Sequence, residues 1–125
     1  LKLKEISYIH CEAYAAGDLK HGTISLITEG VPVVAVATQS RLLPKMISNI
    51  KEVHSRGADI LLICKEGFDV DADVYSKRIT LPALDDLFMP IVGILVLQLL
   101  AYHTAVLRGC DVDKPRNLAK SVTVE

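Results

Sequence analysis

Four side chains in this sequence are of types that move protons or attack carbonyls: Lys2, Glu5, His21 and Lys120. Lys2 and Glu5 stand three apart, so on a helix they share a face. That spacing suits a surface ion pair, and it equally suits a carboxylate general base held beside an ammonium. His21 lies in "GDLKHGT", residues 17–23, between Lys20 and Gly22. A solvated turn has this composition, and so does a loop that presents an imidazole as a proton shuttle. Lys120 sits in "NLAKSVTVE" at the end of the chain. Leu118, Ala119, Val122 and Val124 make that segment too apolar for a free tail. It is expected to dock, and a lysine carried into a partly desolvated site becomes a better nucleophile.

Other chemistries leave no trace. His10, His54 and His103 fall in helical stretches without HExxH spacing, so no metal site is expected. There is no Walker sequence, no Gly-rich phosphate loop and no GxSxG. The cysteines, Cys11, Cys64 and Cys110, are odd in number and widely spaced. This pattern suits buried thiols in a reducing compartment better than a disulfide framework or a zinc site.

The elements that must position these residues follow from periodicity. Leu3, Ile6 and Ile9 recur at three-residue spacing, which predicts an amphipathic helix from the start to about residue 16, stopped by Gly17. A short helix is expected over about 22–28. "VPVVAVA", 31–37, is a β-branched run that predicts a strand covered on both faces. "LLPKMISNIKEVHSRG" reads as helix, with Pro44 in the first turn, Ile47, Ile50 and Val53 on one face and Gly57 closing it. "ADILLIC", 58–64, is a second buried strand. Strand, helix and strand in this order make a βαβ unit, with a parallel pair and a right-handed crossover. "VYSKRITL", 74–81, alternates and predicts a third strand nearer an edge. A long helix is expected over about 90–108, ended by Gly109, and then an irregular tail over about 110–125. The fold class is α/β, a three-layer αβα arrangement with a mostly parallel sheet.

At 125 residues, 50% apolar and 23% charged, the chain suits one folded domain and excludes disorder. A net charge of -1 gives no electrostatic case for nucleic acid or an anionic membrane as partner. Residues 88–107 carry no formal charge and reach membrane-spanning length. Pro90, Gln98 and His103 interrupt them, and a helix buried in a domain or at a subunit contact is expected instead. The chain opens on an uncapped helical run without an initiator Met. It reads as a piece of a larger protein, with the first strand of the sheet upstream of Leu1.

"LKLKEISYIHCEAYAAGDLKHG" and "DVDKPRNLAKSVTVE" together resemble the glutamine:fructose-6-phosphate amidotransferases, or glucosamine-6-phosphate synthases. The likeness runs from Leu1 to Glu125, and its two ends are the specific parts. It implies the second sugar-isomerase (SIS) subdomain, flavodoxin-like in architecture, of a cytoplasmic, dimeric transferase of amino-sugar biosynthesis. That enzyme converts fructose 6-phosphate and glutamine-derived ammonia to glucosamine 6-phosphate. The resemblance implies catalytic roles for Glu5, His21 and Lys120. Glu5 would move a proton between the first and second sugar carbons, His21 would open the ring from the neighbouring subunit, and Lys120 would form a Schiff base with the open-chain ketone. Lys2 and Ala119 are implied in sugar binding, Ala119 through its backbone. No cofactor and no metal is implied. The partners implied are the sugar phosphates, the glutaminase domain, the first SIS subdomain and a second copy of the chain. The fragment alone is expected to be inactive. Thr23 stands where the family commonly has proline, and Cys11 where alanine is frequent. A non-catalytic phosphosugar-binding module and a purely structural dimer-contact piece are the competing readings.

Overall fold

Continuous apolar runs make the first two strands, and an alternating segment makes the third. In the computed structural model, which describes residues 1–116, Pro32–Ala37 forms β1, Asp59–Lys65 forms β2 and Lys77–Leu81 forms β3. They pair in the order β1-β2-β3, all parallel, with Val34 opposite Leu61 and Ile63 opposite Ile79. The expected parallel pair is present, and β3 takes the expected edge position. Among the described residues there are three α-helices: α1 (Lys2–Ser7), α2 (Leu43–His54) and α3 (Met89–Leu107). Short 3₁₀ turns lie at Ala16–His21, Thr23–Leu26, Ser40–Leu42 and Ala72–Val74. The chain divides into two compact units, Ala13–Gly93 and the combination of Leu1–Glu12 with Ile94–Glu125.

The unit Ala13–Gly93 has its core between α2 and one sheet face. Ile50 and Val53 of α2 join Ala35, Ala37, Ile60, Leu62 and Cys64 in one buried cluster. The i, i+3 spacing on α2 and the period of two on the strands aim these residues at one another. The expectation that β1 is covered on both faces fails in this chain. Val34 and Val36, on the opposite face, remain 41% and 37% exposed. A β-branched run supports a strand whether or not its second face has a neighbour, so composition could not decide the covering layer.

The opening helix is also shorter than its apolar spacing predicts. Tyr8 takes the left-handed conformation, φ 59 and ψ 23, and its N–H caps the Lys4 carbonyl. Regular helix therefore stops before Ile9. The second short helix is a 3₁₀ turn rather than an α-helix. At the other end α3 runs as expected to Leu107, with Gly109 at φ 68. Ala101 and Ala105 are buried, whereas Ile91, Ile94, Leu95, Leu99 and Leu107 are exposed, so of the two settings expected, burial inside the domain does not hold and a subunit contact stays open. Its apolar residues occupy every side, and one neighbour can cover only one of them. By length and composition it is the one helix among the described residues that could cross a membrane.

Of the thiols only Cys64 is fully buried; Cys11 and Cys110 are half-buried, and all three are free. Burial pushes the Cys64 thiol up from its ordinary value, with Arg78 acting weakly against it.

The C-terminal ends of the strands meet in a polar knot. The Lys65 ammonium, at the end of β2, donates to the Asp86 carboxylate and to the Ser40 hydroxyl, and lies 5.2 Å from the centre of the Phe68 ring. Asp86 also accepts the Ser40 N–H at 2.7 Å and the Ser40 hydroxyl at 2.9 Å. The Lys65 ammonium first, and then the two Ser40 donors, hold the Asp86 carboxyl below its ordinary range. A carboxyl depressed in the folded state adds stability above its unfolded value, near pH ~3.9, and that stability disappears as pH falls through the lower folded value. Asp86→Asn should therefore lower stability at neutral pH and flatten its decline below about pH 4. Urea midpoints measured from pH 2 to 7 (about that range) check this; an unchanged acid limb would remove Asp86 from it.

Candidate active site

Helix α1 carries two of the candidate residues, Lys2 and Glu5. Its six residues are too few to be stable alone, and tertiary contacts hold them. Ser7 is completely buried, its hydroxyl donating to the Leu3 carbonyl. With Ser7 inward, Lys2 and Glu5 face outward together, and the Lys2 ammonium stands 3.2 Å from the Glu5 carboxylate. Lys2 is largely exposed, whereas the Glu5 side chain is only 24% exposed. The pair thus has a solvated ammonium and a partly shielded carboxylate. A carboxylate accessible at one edge can accept a proton from a neighbouring carbon acid.

His21 belongs to the other unit. The stretch 17–23 is a built loop rather than a loose turn. Leu19, Ile24 and Ile27 pack against the core cluster, and the Lys20 ammonium is 2.7 Å from Glu52 on α2. That ammonium, assisted by Arg56, holds the Glu52 carboxyl below its ordinary range against the opposing effect of burial. His21 ends the first 3₁₀ turn and is exposed. Gly22 follows with φ 143 and ψ -47 and joins it to the next turn. An L side chain rarely adopts that conformation, so the glycine is what lets the chain present the imidazole outward between two anchored turns.

Thr23 introduces a defect into this loop. Its hydroxyl is buried and finds no hydrogen-bond partner among the described residues. An orphaned buried hydroxyl costs about 1–3 kcal/mol. Thr23→Val keeps the shape and removes the cost, so it should stabilise by about 1 kcal/mol. A thermal melt shifted upward by a few degrees is the expected reading; a drop would show that the hydroxyl has a partner in solution.

Lys120 and Ala119 lie outside the described residues. The segment leading toward them is described as far as Arg116. Asp111 caps its turn, the carboxylate accepting the N–H groups of Asp113 and Lys114 at 3.0 Å each. Beyond it the Arg116 N–H donates to the Tyr8 hydroxyl at 2.9 Å, and the Arg116 guanidinium stacks 4.1 Å from the Tyr8 ring centre. The structure therefore brings Lys2 to Glu5, and ties the start of the tail to the residue that ends their helix. Among the described residues no group of three or more His, Cys, Asp and Glu could hold a metal ion.

The family model for the SIS domain matches residues 1–108. This chain belongs to the SIS domain family. The parallel sheet with flanking helices is the SIS fold. A solved structure described as the C-terminal domain of glucosamine-fructose-6-phosphate aminotransferase from Francisella tularensis superposes with a TM-score of 0.82 at 44% identity, covering 90% of this chain and 32% of that one. Among curated relatives, glutamine–fructose-6-phosphate aminotransferase (isomerizing) from Clostridium acetobutylicum is 60% identical over 125 residues, all of this chain and 21% of its own length. The protein of the same name from Pseudomonas aeruginosa is 51% identical over 125 residues, 20% of its length. The SIS domain described here thus spans about one fifth of the length of the curated relatives it matches.

Sequence reasoning passed over Tyr8 and Arg116. An aromatic next to a short helix and an arginine in an irregular tail carry no periodic signal, and 108 positions separate them. Lys65, Ser40 and Asp86 were missed for the same reason: each stands at an element end, where pattern is weakest.

Proposed function

We propose that this chain is the second SIS subdomain, residues 1–125 with a tail from about 110, of an isomerising glutamine–fructose-6-phosphate aminotransferase. The observation that carries the reading is the 60% identity along the whole chain to a relative of that name, together with the paired Lys2 and Glu5 on α1. The substrate is fructose 6-phosphate and the product glucosamine 6-phosphate, formed with ammonia from a glutaminase domain elsewhere in the parent protein. The partners are that domain, the first SIS subdomain and a second copy of the parent chain, in the cytoplasm. Neither nucleic acid nor a membrane is a partner in this reading. The exposed apolar sides of α3 would be covered by these neighbours.

Each residue has a chemical task. Lys120 attacks the ketone carbon and water leaves, forming an imine that draws electrons from the adjacent C–H. Ammonia then displaces the lysine by exchange. Glu5 takes the proton from the first sugar carbon and returns it to the second, a transfer that one carboxylate within reach of both can perform. Lys2 stands beside that carboxylate and, with the Ala119 backbone, contacts sugar. His21 serves ring opening, reaching the site from the neighbouring subunit. No step needs a metal or an organic cofactor.

The test uses the full-length parent enzyme in deuterated water with fructose 6-phosphate and glutamine. Glucosamine 6-phosphate should form, with solvent deuterium appearing at the first or second sugar carbon. A phosphosugar-binding module would yield neither, and that result would overturn the reading.

A further inference from the structure

We infer that Glu52, on α2, is a positioning residue for His21: it grips Lys20 and so fixes the direction in which the next side chain points. The inference rests on the ring-opening role proposed above for His21 and adds to it a residue from another element. The 3₁₀ turn Ala16–His21 ends on Leu19, Lys20 and His21 in succession. Such a turn has three residues per turn, so these side chains leave its axis about 120° apart. Leu19 packs against the core cluster to which α2 contributes Ile50 and Val53. The Lys20 ammonium stands 2.7 Å from one Glu52 carboxylate oxygen. Two of the three directions are therefore held, and His21 takes the third, toward solvent.

The other anchors leave a rotation open, and the ion pair closes it. Apolar packing is non-directional, so Leu19 alone would let the turn roll on α2. Beyond His21, among the described residues, no atom outside the adjoining ones lies within 4 Å of where a Gly22 Cβ would stand. Packing therefore does not fix the junction on that side. A charge-assisted contact is short and directional, and it sets the roll. Glu52 is itself held. The Arg56 guanidinium lies 3.5 Å from its second carboxylate oxygen and donates to its backbone carbonyl at 2.9 Å, and the adjoining Val53 is buried. A chain of contacts thus runs from the core through Glu52 and Lys20 to the residue before the imidazole. Proton transfer needs donor and acceptor within hydrogen-bond reach, so a turn free to roll loses rate without losing its fold. Glu52 itself touches no reacting atom in this scheme.

The experiment measures kcat/KM for fructose 6-phosphate in the full-length enzyme, with and without His21. Glu52→Ala removes the carboxylate from a helix that alanine suits, and it should lower kcat/KM about fivefold. His21→Ala should lower it about a hundredfold. Adding Glu52→Ala to His21→Ala should change nothing further, because a residue that acts through the imidazole has no effect once the imidazole is gone. Lys20→Met cuts the same link from its other end and should match Glu52→Ala, and the two together should lose no more than either alone. The melting temperature of Glu52→Ala should stay within about two degrees of wild type, since pairs this exposed add little stability. Wild-type kcat/KM in Glu52→Ala overturns the inference and leaves the proposed function standing. So does an equal loss from Glu52→Ala with and without His21, which is what a merely structural role produces. Should Glu52→Ala not fold, Lys20→Met decides by the same criteria. A His21→Ala enzyme at the wild-type rate sinks this inference and the ring-opening role of His21 together.

Discussion

Glu5→Gln in the full-length enzyme is expected to cut glucosamine 6-phosphate synthesis by about a hundredfold to ten-thousandfold, the range spanned by a positioned general base. The substitution keeps the shape and hydrogen-bonding reach of the side chain and removes only its ability to accept a proton. KM for fructose 6-phosphate should change little, since the loss falls on a step after binding. Stability should hardly move. The Lys2–Glu5 pair is 63% exposed on the lysine side, and pairs so exposed contribute about 0–1 kcal/mol. Borohydride trapping at Lys120 should persist, because imine formation precedes proton transfer from the sugar carbon. Steady-state kinetics with the trapping assay therefore separate the two residues. Synthesis at the wild-type rate would exclude Glu5 from proton transfer, whatever the family resemblance implies.

Gly57→Ala is expected to destabilise the unit Ala13–Gly93 by about 3 kcal/mol, since strain at positive φ and overpacking each cost about 1–3 kcal/mol. Gly57 has φ 88, and a Cβ there would lie 2.0 Å from the Glu29 carboxylate oxygen and 2.8 Å from the Glu29 Cα. The carboxylate can swing aside, but the Cα cannot, because the neighbouring Gly30 N–H donates to the Gly57 carbonyl at 2.7 Å and pins the two segments together. Gly30 provides the control. It has φ 76 with open space where a Cβ would stand, so Gly30→Ala should cost about 1 kcal/mol from backbone strain alone. Hydrogen exchange of the α2 and β2 amides reads both effects locally. Equal protection losses in the two variants would show that the close approach to Glu29 relaxes without cost.

The elements between 31 and 107 were legible in the sequence, because periodicity and punctuation there are local. Pro44 in the first turn of α2, Ile50 and Val53 on its buried face and Gly57 after it mark a helix by residue type alone. β2 reads as a strand from a run of apolar residues between Gly57 and Gly67, and the βαβ order makes the pair parallel. The candidate residues were likewise legible as types: a carboxylate and an ammonium three apart, an imidazole beside glycine, a lysine in an apolar tail. On α1, spacing correctly placed Lys2 beside Glu5.

Tertiary structure alone decided where α1 stops, which face of β1 is covered and what the tail leans on. Leu3, Ile6 and Ile9 continue a helical period past Ser7, yet Tyr8 turns left-handed there and engages Arg116 at the far end of the chain. Val34 and Val36 favour a strand with or without a layer over them. A periodic pattern records what a segment prefers within a turn or two of backbone. Termination, covering and clamping arise from contacts between distant segments, whose energies appear only after the chain has folded.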